Sequence, residues 1–134
     1  MVDLVEQLHA FTNMHDEFQS DWNEAMKSGD TSALDRMTED YYVAFFNSGK
    51  EKPMFFNKAD SISGMEQSVQ HFLGAEKKFD NRVIRMRNSE NAVVFYELLV
   101  VKEENVLARL FTIENWMLIE GKWMIVRETE EPIS

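Results

Sequence analysis

Leu4, Leu8, Phe11, His15, Phe18, Trp22 and Ala25 recur at alternating steps of four and three. At about 100° per residue this spacing lays them along one face of a helix over residues 3–28. Apart from His15 the stripe is apolar or small, as a core-facing helix requires. His15 interrupts it at the centre. A buried imidazole needs a hydrogen-bond partner, so whatever covers this helix must offer His15 a side chain, a water or a ligand.

Ser28-Gly29 ends the helix, with Gly29 past its last turn. Asp30 then caps a short second helix whose inward residues are Leu34 and Met37. Residues 41–47 read as a strand, aromatic and apolar on both faces, and Asn47-Ser-Gly-Lys50 as a turn. Pro53 to Asn57 reads as a short edge strand, because proline cannot donate to a ladder. A third helix covers 59–73, with Ile62, Met65, Val69, Phe72 and Leu73 on one face and Gly64 as a weak point. His71 lies on its opposite face and His9 lies off the first stripe, so both read as solvated.

From Phe79 the pattern is strand and turn: 79–88, 92–102, 106–119 and 122–130, separated by Ser89-Glu90, Glu103-Glu104 and Glu120-Gly121. Connections this short force antiparallel neighbours. The order predicts one α+β domain over residues 1–134, with helices on one face of a curved sheet. Counting outward from two-residue turns puts Arg82 opposite Glu97, Ile84 opposite Phe95, and Met86 opposite Val93. It continues with Glu97–Leu110, Phe95–Thr112 and Val93–Glu114. The last hairpin gives Glu114–Arg127, Trp116–Ile125 and Leu118–Trp123. All of these share one mostly apolar face, which carries Arg82, Glu97, Thr112, Glu114 and Arg127. The other face holds Val94, Tyr96, Leu98 and Val100 beside Leu107, Phe111, Ile113, Met117, Met124 and Val126. A lone antiparallel sheet usually solvates one face. Two apolar faces predict a partner sheet, most simply a homodimer through the outer face.

Composition narrows the function. A formal net charge of −10 argues against nucleic acid as a partner. Arg82, Arg85 and Arg87, the one basic cluster, read as strand residues. The chain has no cysteine, which excludes disulfides and thiolate zinc sites and suits a cytoplasmic location. No apolar run reaches membrane-spanning length and no signal pattern opens the chain, so no membrane role is expected. Three dispersed histidines lack metal-ligand spacing. No nucleophile motif or phosphate loop occurs, and no metal or cofactor is expected. The acidic stretch Glu128-Thr-Glu-Glu131 reads as a solvated strand end.

The element order, the segment Trp22-Asn-Glu-Ala-Met-Lys-Ser-Gly-Asp30, and the hairpin from Arg109-Leu-Phe-Thr-Ile-Glu-Asn-Trp116 to Glu-Gly-Lys-Trp123 resemble the nuclear-transport-factor-2-like superfamily. Ketosteroid isomerases, scytalone dehydratase and polyketide cyclases belong to it. The resemblance implies a cone in which a curved mixed or antiparallel sheet wraps a long N-terminal helix. It also implies a small-molecule pocket and homodimers through the outer sheet face. Trp22 stands where the isomerase branch has its oxyanion-donating tyrosine. Phe45-Phe46 stands where that branch has its general-base aspartate, and neither phenylalanine can take a proton. Tyr41 and Tyr42 bear a faint likeness to the paired tyrosines of the dehydratase branch. Fold membership leaves function open.

Two readings of the polar groups stand side by side. In one, His15 acts as acid or base with Glu97 or Glu114, beside Phe11, Phe18, Trp22, Tyr42, Phe95, Thr112 and Arg127 as ligand-binding residues. In the other, Arg82–Glu97 and Glu114–Arg127 are ordinary cross-strand ion pairs and His15 is a satisfied core histidine. The leading functional expectation is a binder of an apolar or amphipathic small molecule in an enclosed pocket. The alternatives are an isomerase, cyclase or dehydratase acting on a small carbonyl or polyketide-like compound, and a non-catalytic protein-interaction domain.

Overall fold

The computed structural model describes residues 3–47 and 49–133, and Ser48 of the expected 47–50 turn lies outside them. α1 (Leu4–Ser28) starts where the Asp3 carboxylate accepts from the Val5 amide at 2.8 Å. It ends at Gly29, whose φ of 83° is the left-handed conformation of a helix stop. Within the stripe Phe11, His15, Phe18 and Ala25 are buried, joined by Met26, while Leu4 in the first turn is exposed.

The expected second helix is a single 3₁₀ turn, Ser32–Leu34. Two apolar positions in so short a stretch do not repay helix nucleation, and the sheet captures the next residues. The Ile125 amide donates to the Arg36 carbonyl at 2.7 Å, and Met37 opens β1 (Met37–Phe45). β2 (Met54–Asn57) follows Pro53 at the sheet edge, and the Asn57 side chain caps α2 (Lys58–His71). Then come β3 (Glu76–Asn88), β4 (Asn91–Lys102), β5 (Asn105–Ile119) and β6 (Lys122–Pro132). The six strands lie in the order β2-β1-β6-β5-β4-β3, and only β1 and β6 run parallel. The result is an open mixed sheet on whose inner face Phe11, Phe18 and Met26 pack with Val94, Trp116 and Ile125.

All three hairpins turn where the sequence places them: Asn88 lies opposite Asn91, Lys102 opposite Asn105, and Ile119 opposite Lys122. Beyond each tip, however, one strand carries an extra residue. Arg87 is extra in β3, Leu107 in β5 and Val126 in β6, and a further irregularity falls at Asn81–Arg82. A bulge shifts the register by one, and because side chains alternate with period two it exchanges the faces of everything beyond it.

The expected pairings change accordingly. Glu97 lies opposite Asp80 rather than Arg82, and Ile84 opposite Val94 rather than Phe95. Leu98, Tyr96 and Val94, not Glu97, Phe95 and Val93, lie opposite Leu110, Thr112 and Glu114. Glu114 faces Glu128 instead of Arg127, while Trp116–Ile125 and Leu118–Trp123, on the turn side of that bulge, stand as counted. Thus Val94, Tyr96, Leu98 and Val100 belong to the inner face and are buried, whereas Phe95 is exposed.

Candidate functional site

The inner wall is anchored at Glu114, whose side chain is almost fully buried. Its Oε1 accepts from His15 Nε2 at 2.8 Å and from Trp116 Nε1 at 2.9 Å, and its Oε2 accepts from the Tyr96 hydroxyl at 2.5 Å. The other ring nitrogen of His15, Nδ1, lies 3.2 Å from Arg82 Nη1. A guanidinium can only donate, so Nδ1 accepts and the ring is the Nε2–H tautomer that donates to Glu114. Arg82 also pairs with Asp16 at 2.8 Å. The irregularity at Asn81–Arg82 is what turns this arginine towards α1.

Next to Glu114 is a cavity of about 340 Å³ between α1, α2 and the inner face of the sheet. Its walls are mostly apolar, with Leu34, Val43, Phe56, Met65, Phe72 and Leu98 among them. Gly64 lines the cavity yet is exposed, so it marks the mouth, and a Cβ added there would meet nothing within 4 Å. Asp60, Ser61 and Ser68 of α2 are polar lining residues, and a larger polar region comes from the sheet. Lys77, Tyr41, Tyr96, Thr112, Glu114, Glu128 and Glu130 all reach the cavity. Thr112 lies opposite Glu130 and Glu114 opposite Glu128, so these four share the inner face. The Thr112 hydroxyl oxygen is buried and has no hydrogen-bond partner among the described residues.

Several of these groups are displaced from their ordinary titration. Burial raises Glu128 well above the usual carboxyl range, and the negative charges of Glu130 and Glu114 raise it further. The Tyr41 hydroxyl, donating to Glu128 Oε1 at 2.8 Å, and the charge of Lys77 oppose that rise. Burial also raises Glu130, against the opposing pull of Lys77. Lys77 is pushed down to about 8 by burial, with Glu130, Glu128 and Glu114 resisting. Tyr96 is raised by burial and then by Glu114, which keeps it a phenol and a donor.

The structure brings together only part of the expected site. Phe18, Trp22, Thr112 and Glu114 line the cavity. His15 sits behind Glu114 rather than on the wall, and Phe11 is buried against Trp116 and Trp123, with ring centroids 5.9 and 5.0 Å away. Glu97, Phe95 and Arg127 are corrected to the other face, because the bulges reverse their parity. Glu97 bonds Arg109, and Arg127 Nε donates to Asn115 Oδ1 at 2.9 Å. Tyr42 is corrected too: alternation along β1 turns Tyr41 inward and leaves Tyr42 against Phe55, ring centroids 5.9 Å apart.

Sequence reasoning missed Lys77, Glu128 and Glu130. Glu128 and Glu130 are not a solvated strand end: once Val126 is taken as a bulge, Trp123, Ile125, Glu128 and Glu130 form one inward series. Lys77 falls before the expected strand start, in a stretch whose charged residues read as surface. Among the described residues no cluster of histidine and carboxylate side chains could hold a metal.

The titration shifts predict a pH dependence of stability. Glu128 is raised above its ordinary value of 4.5, so above that pH the native state holds a proton that the unfolded chain has lost. Stability is then greatest on the acid side and falls as pH rises through the native value. From about pH 5 to 7.5 the lysine stays mostly charged in both states and adds little slope. Thermal unfolding should therefore show a melting temperature that falls over this range in the parent chain and falls less in Glu128→Gln. Equal slopes would contradict the assignment.

No family model and no curated protein matches the chain. Solved structures do. An NTF2-like protein of unknown function from Shewanella baltica superposes with a TM-score of 0.69 at 16% identity, over 100% of this chain and 99% of that one. A cystatin-like domain of unknown function from Nostoc punctiforme gives a TM-score of 0.71 at 11% identity, covering 93% and 78%. A Novosphingobium aromaticivorans protein provisionally named a scytalone dehydratase gives 0.69 at 14% identity, covering 97% and 89%. Identities this low speak for the backbone alone. The chain has the nuclear-transport-factor-2-like, cystatin-like fold, an α+β cone of long helix and curved mixed sheet.

Proposed function

We propose that the protein binds an apolar-bodied small molecule carrying one hydrogen-bonding or carbonyl head group. The observation that carries this reading is the division of the cavity. An apolar body fits the walls formed by Val43, Phe56, Met65, Phe72 and Leu98, while at the polar region of the sheet the Thr112 hydroxyl has no partner among the described residues. Pockets with apolar walls and a few convergent polar groups are the usual form of small-molecule sites. An unpaired buried hydroxyl is costly, and a ligand head group would offset that cost.

Proton transfer by His15 has less support, since the ring is fully buried and both nitrogens are engaged. Any acid–base chemistry on a bound carbonyl compound, as in the isomerase or dehydratase reading, falls instead to Glu128 and Glu130 on the wall. Glu128, which burial raises well above the ordinary carboxyl range, is the one suited to give a proton.

The outer sheet face favours self-association. Phe95, Phe111, Met117 and Leu107 are 42, 54, 38 and 47% exposed there, and large apolar side chains grouped on one face mark interaction sites. A second copy is the simplest cover and would occupy the face that a different protein partner would need.

Two measurements test these readings. Eight-carbon ketone, alcohol and carboxylic acid probes, each at about ten times its dissociation constant, should raise the melting temperature by about 3–5 °C where they bind. Gly64→Trp, which places a ring at the open mouth, should abolish the effect while keeping the fold. No response from any probe, or an equal response in the variant, would contradict the binding reading. Light scattering at micromolar concentration should give the mass of a dimer, and a monomer mass would contradict the outer-face reading.

A further inference from the structure

Lys77 has no role in the binding reading beyond its place on the wall, yet it is held with care. The Asn23 side chain of α1 grips its backbone on both sides, accepting from the Lys77 amide at 2.8 Å and donating to its carbonyl at 3.3 Å. The residue is only 8% exposed and lines the cavity. Its Nζ lies over the Trp22 ring, 3.2 Å from the centroid. Among the described residues it makes no side-chain hydrogen bond and no ion pair. A lysine whose task was to neutralise Glu128 and Glu130 would close on one of them. This one makes an ion pair with neither; it lies on the cavity wall with its nitrogen over the Trp22 ring.

We infer that Lys77 is a nucleophile that condenses with the carbonyl carbon of an apolar aldehyde or ketone seated in the cavity, with Glu128 and Glu130 moving the protons. The inference rests on the binding reading above and names its ligand class.

The neutral amine attacks through its lone pair, the C–N bond forms, and the π pair of the carbonyl moves to oxygen. Glu128 gives its proton to that oxygen while the Glu130 carboxylate takes one from nitrogen, leaving a neutral carbinolamine. Glu130 then returns its proton to the hydroxyl, which departs as water as nitrogen closes the C=N bond. The products are an iminium on Lys77, one water and two carboxylates. The net charge of amine, acid and carboxylate is unchanged.

The same surroundings supply the free amine the attack requires. Burial pushes Lys77 down to about 8, well below an ordinary lysine. The charged groups facing it are Glu114 of β5 and Glu128 and Glu130 of β6, and these, with the Trp22 ring face of α1, favour the ammonium. Burial outweighs the three carboxylates.

The neighbouring Lys78 is exposed and gives an internal control. The full chain is incubated with octanal and sodium cyanoborohydride, and adducts are located by peptide mass spectrometry. At pH 7.5 Lys77 should be alkylated at least about tenfold faster than Lys78, reflecting its larger free-amine fraction. The labelling rate should rise with a midpoint near 8. Lys77→Met should lose the fast adduct, and Gly64→Trp, which keeps the lysine but blocks the mouth, should lose it as well. Octanal that raises the melting temperature without preferential labelling of Lys77 overturns this inference and leaves the binding reading intact. Octanal that neither binds nor labels Lys77 preferentially overturns the carbonyl assignment; silence of the ketone, alcohol and acid probes as well is what overturns binding.

Discussion

The carboxylate of Glu114 holds the inner wall together. Burying an acid in an aromatic core costs several kcal/mol unless its oxygens are satisfied, and here three donors from three elements converge on it. His15 brings α1, Tyr96 brings β4, and Trp116 brings the acid's own strand. Each donor would itself be an unsatisfied buried group without the acid. The acid therefore ties the helix to the sheet and orients Tyr96 at the cavity. Arg82 extends the chain of bonds to the surface through His15 Nδ1 and Asp16. His15 is thereby fixed in orientation, a strut between helix and acid.

Against that settled group the rest of the polar region is under-committed. Thr112 has a buried oxygen without a partner among the described residues, Lys77 lies over a ring rather than beside an acid, and Glu130, hydrogen-bonded to Glu128, also raises it by its charge. Natural cores seldom leave so many polar groups in tension, and where they do the tension tends to serve a ligand or a reaction. The mostly apolar walls weaken solvent screening, which is why burial dominates the titration of these residues.

Much of the architecture was legible from periodicity. The stripe from Phe11 to Ala25 located α1 and singled out His15 and its need for a partner. The turn residues located all three hairpins. What periodicity could not reveal was the bulges, since an extra Arg87, Leu107 or Val126 looks like any other strand residue. Each costs little locally yet reverses every side chain beyond it, so Tyr96 displaced Phe95 from the cavity and Glu128 displaced Arg127. The pairs nearest the last turn, Trp116–Ile125 and Leu118–Trp123, were read correctly because no bulge intervenes. Lys77 escaped notice for a different reason: a lysine beside a second lysine and an acid reads as surface, and only the packing of Trp22 against it shows otherwise.

On the proposed reading a small molecule sits on the inner face set by these bulges, with its head group at Thr112. Intermolecular nuclear Overhauser effects between octan-2-one and methyl-labelled protein test it most directly. Contacts are expected from the ketone chain to the methyls of Val43 and Leu98 and from its head-group end to Thr112. Contacts confined to outer-face methyls such as Leu107, or none at saturating ketone, would contradict it.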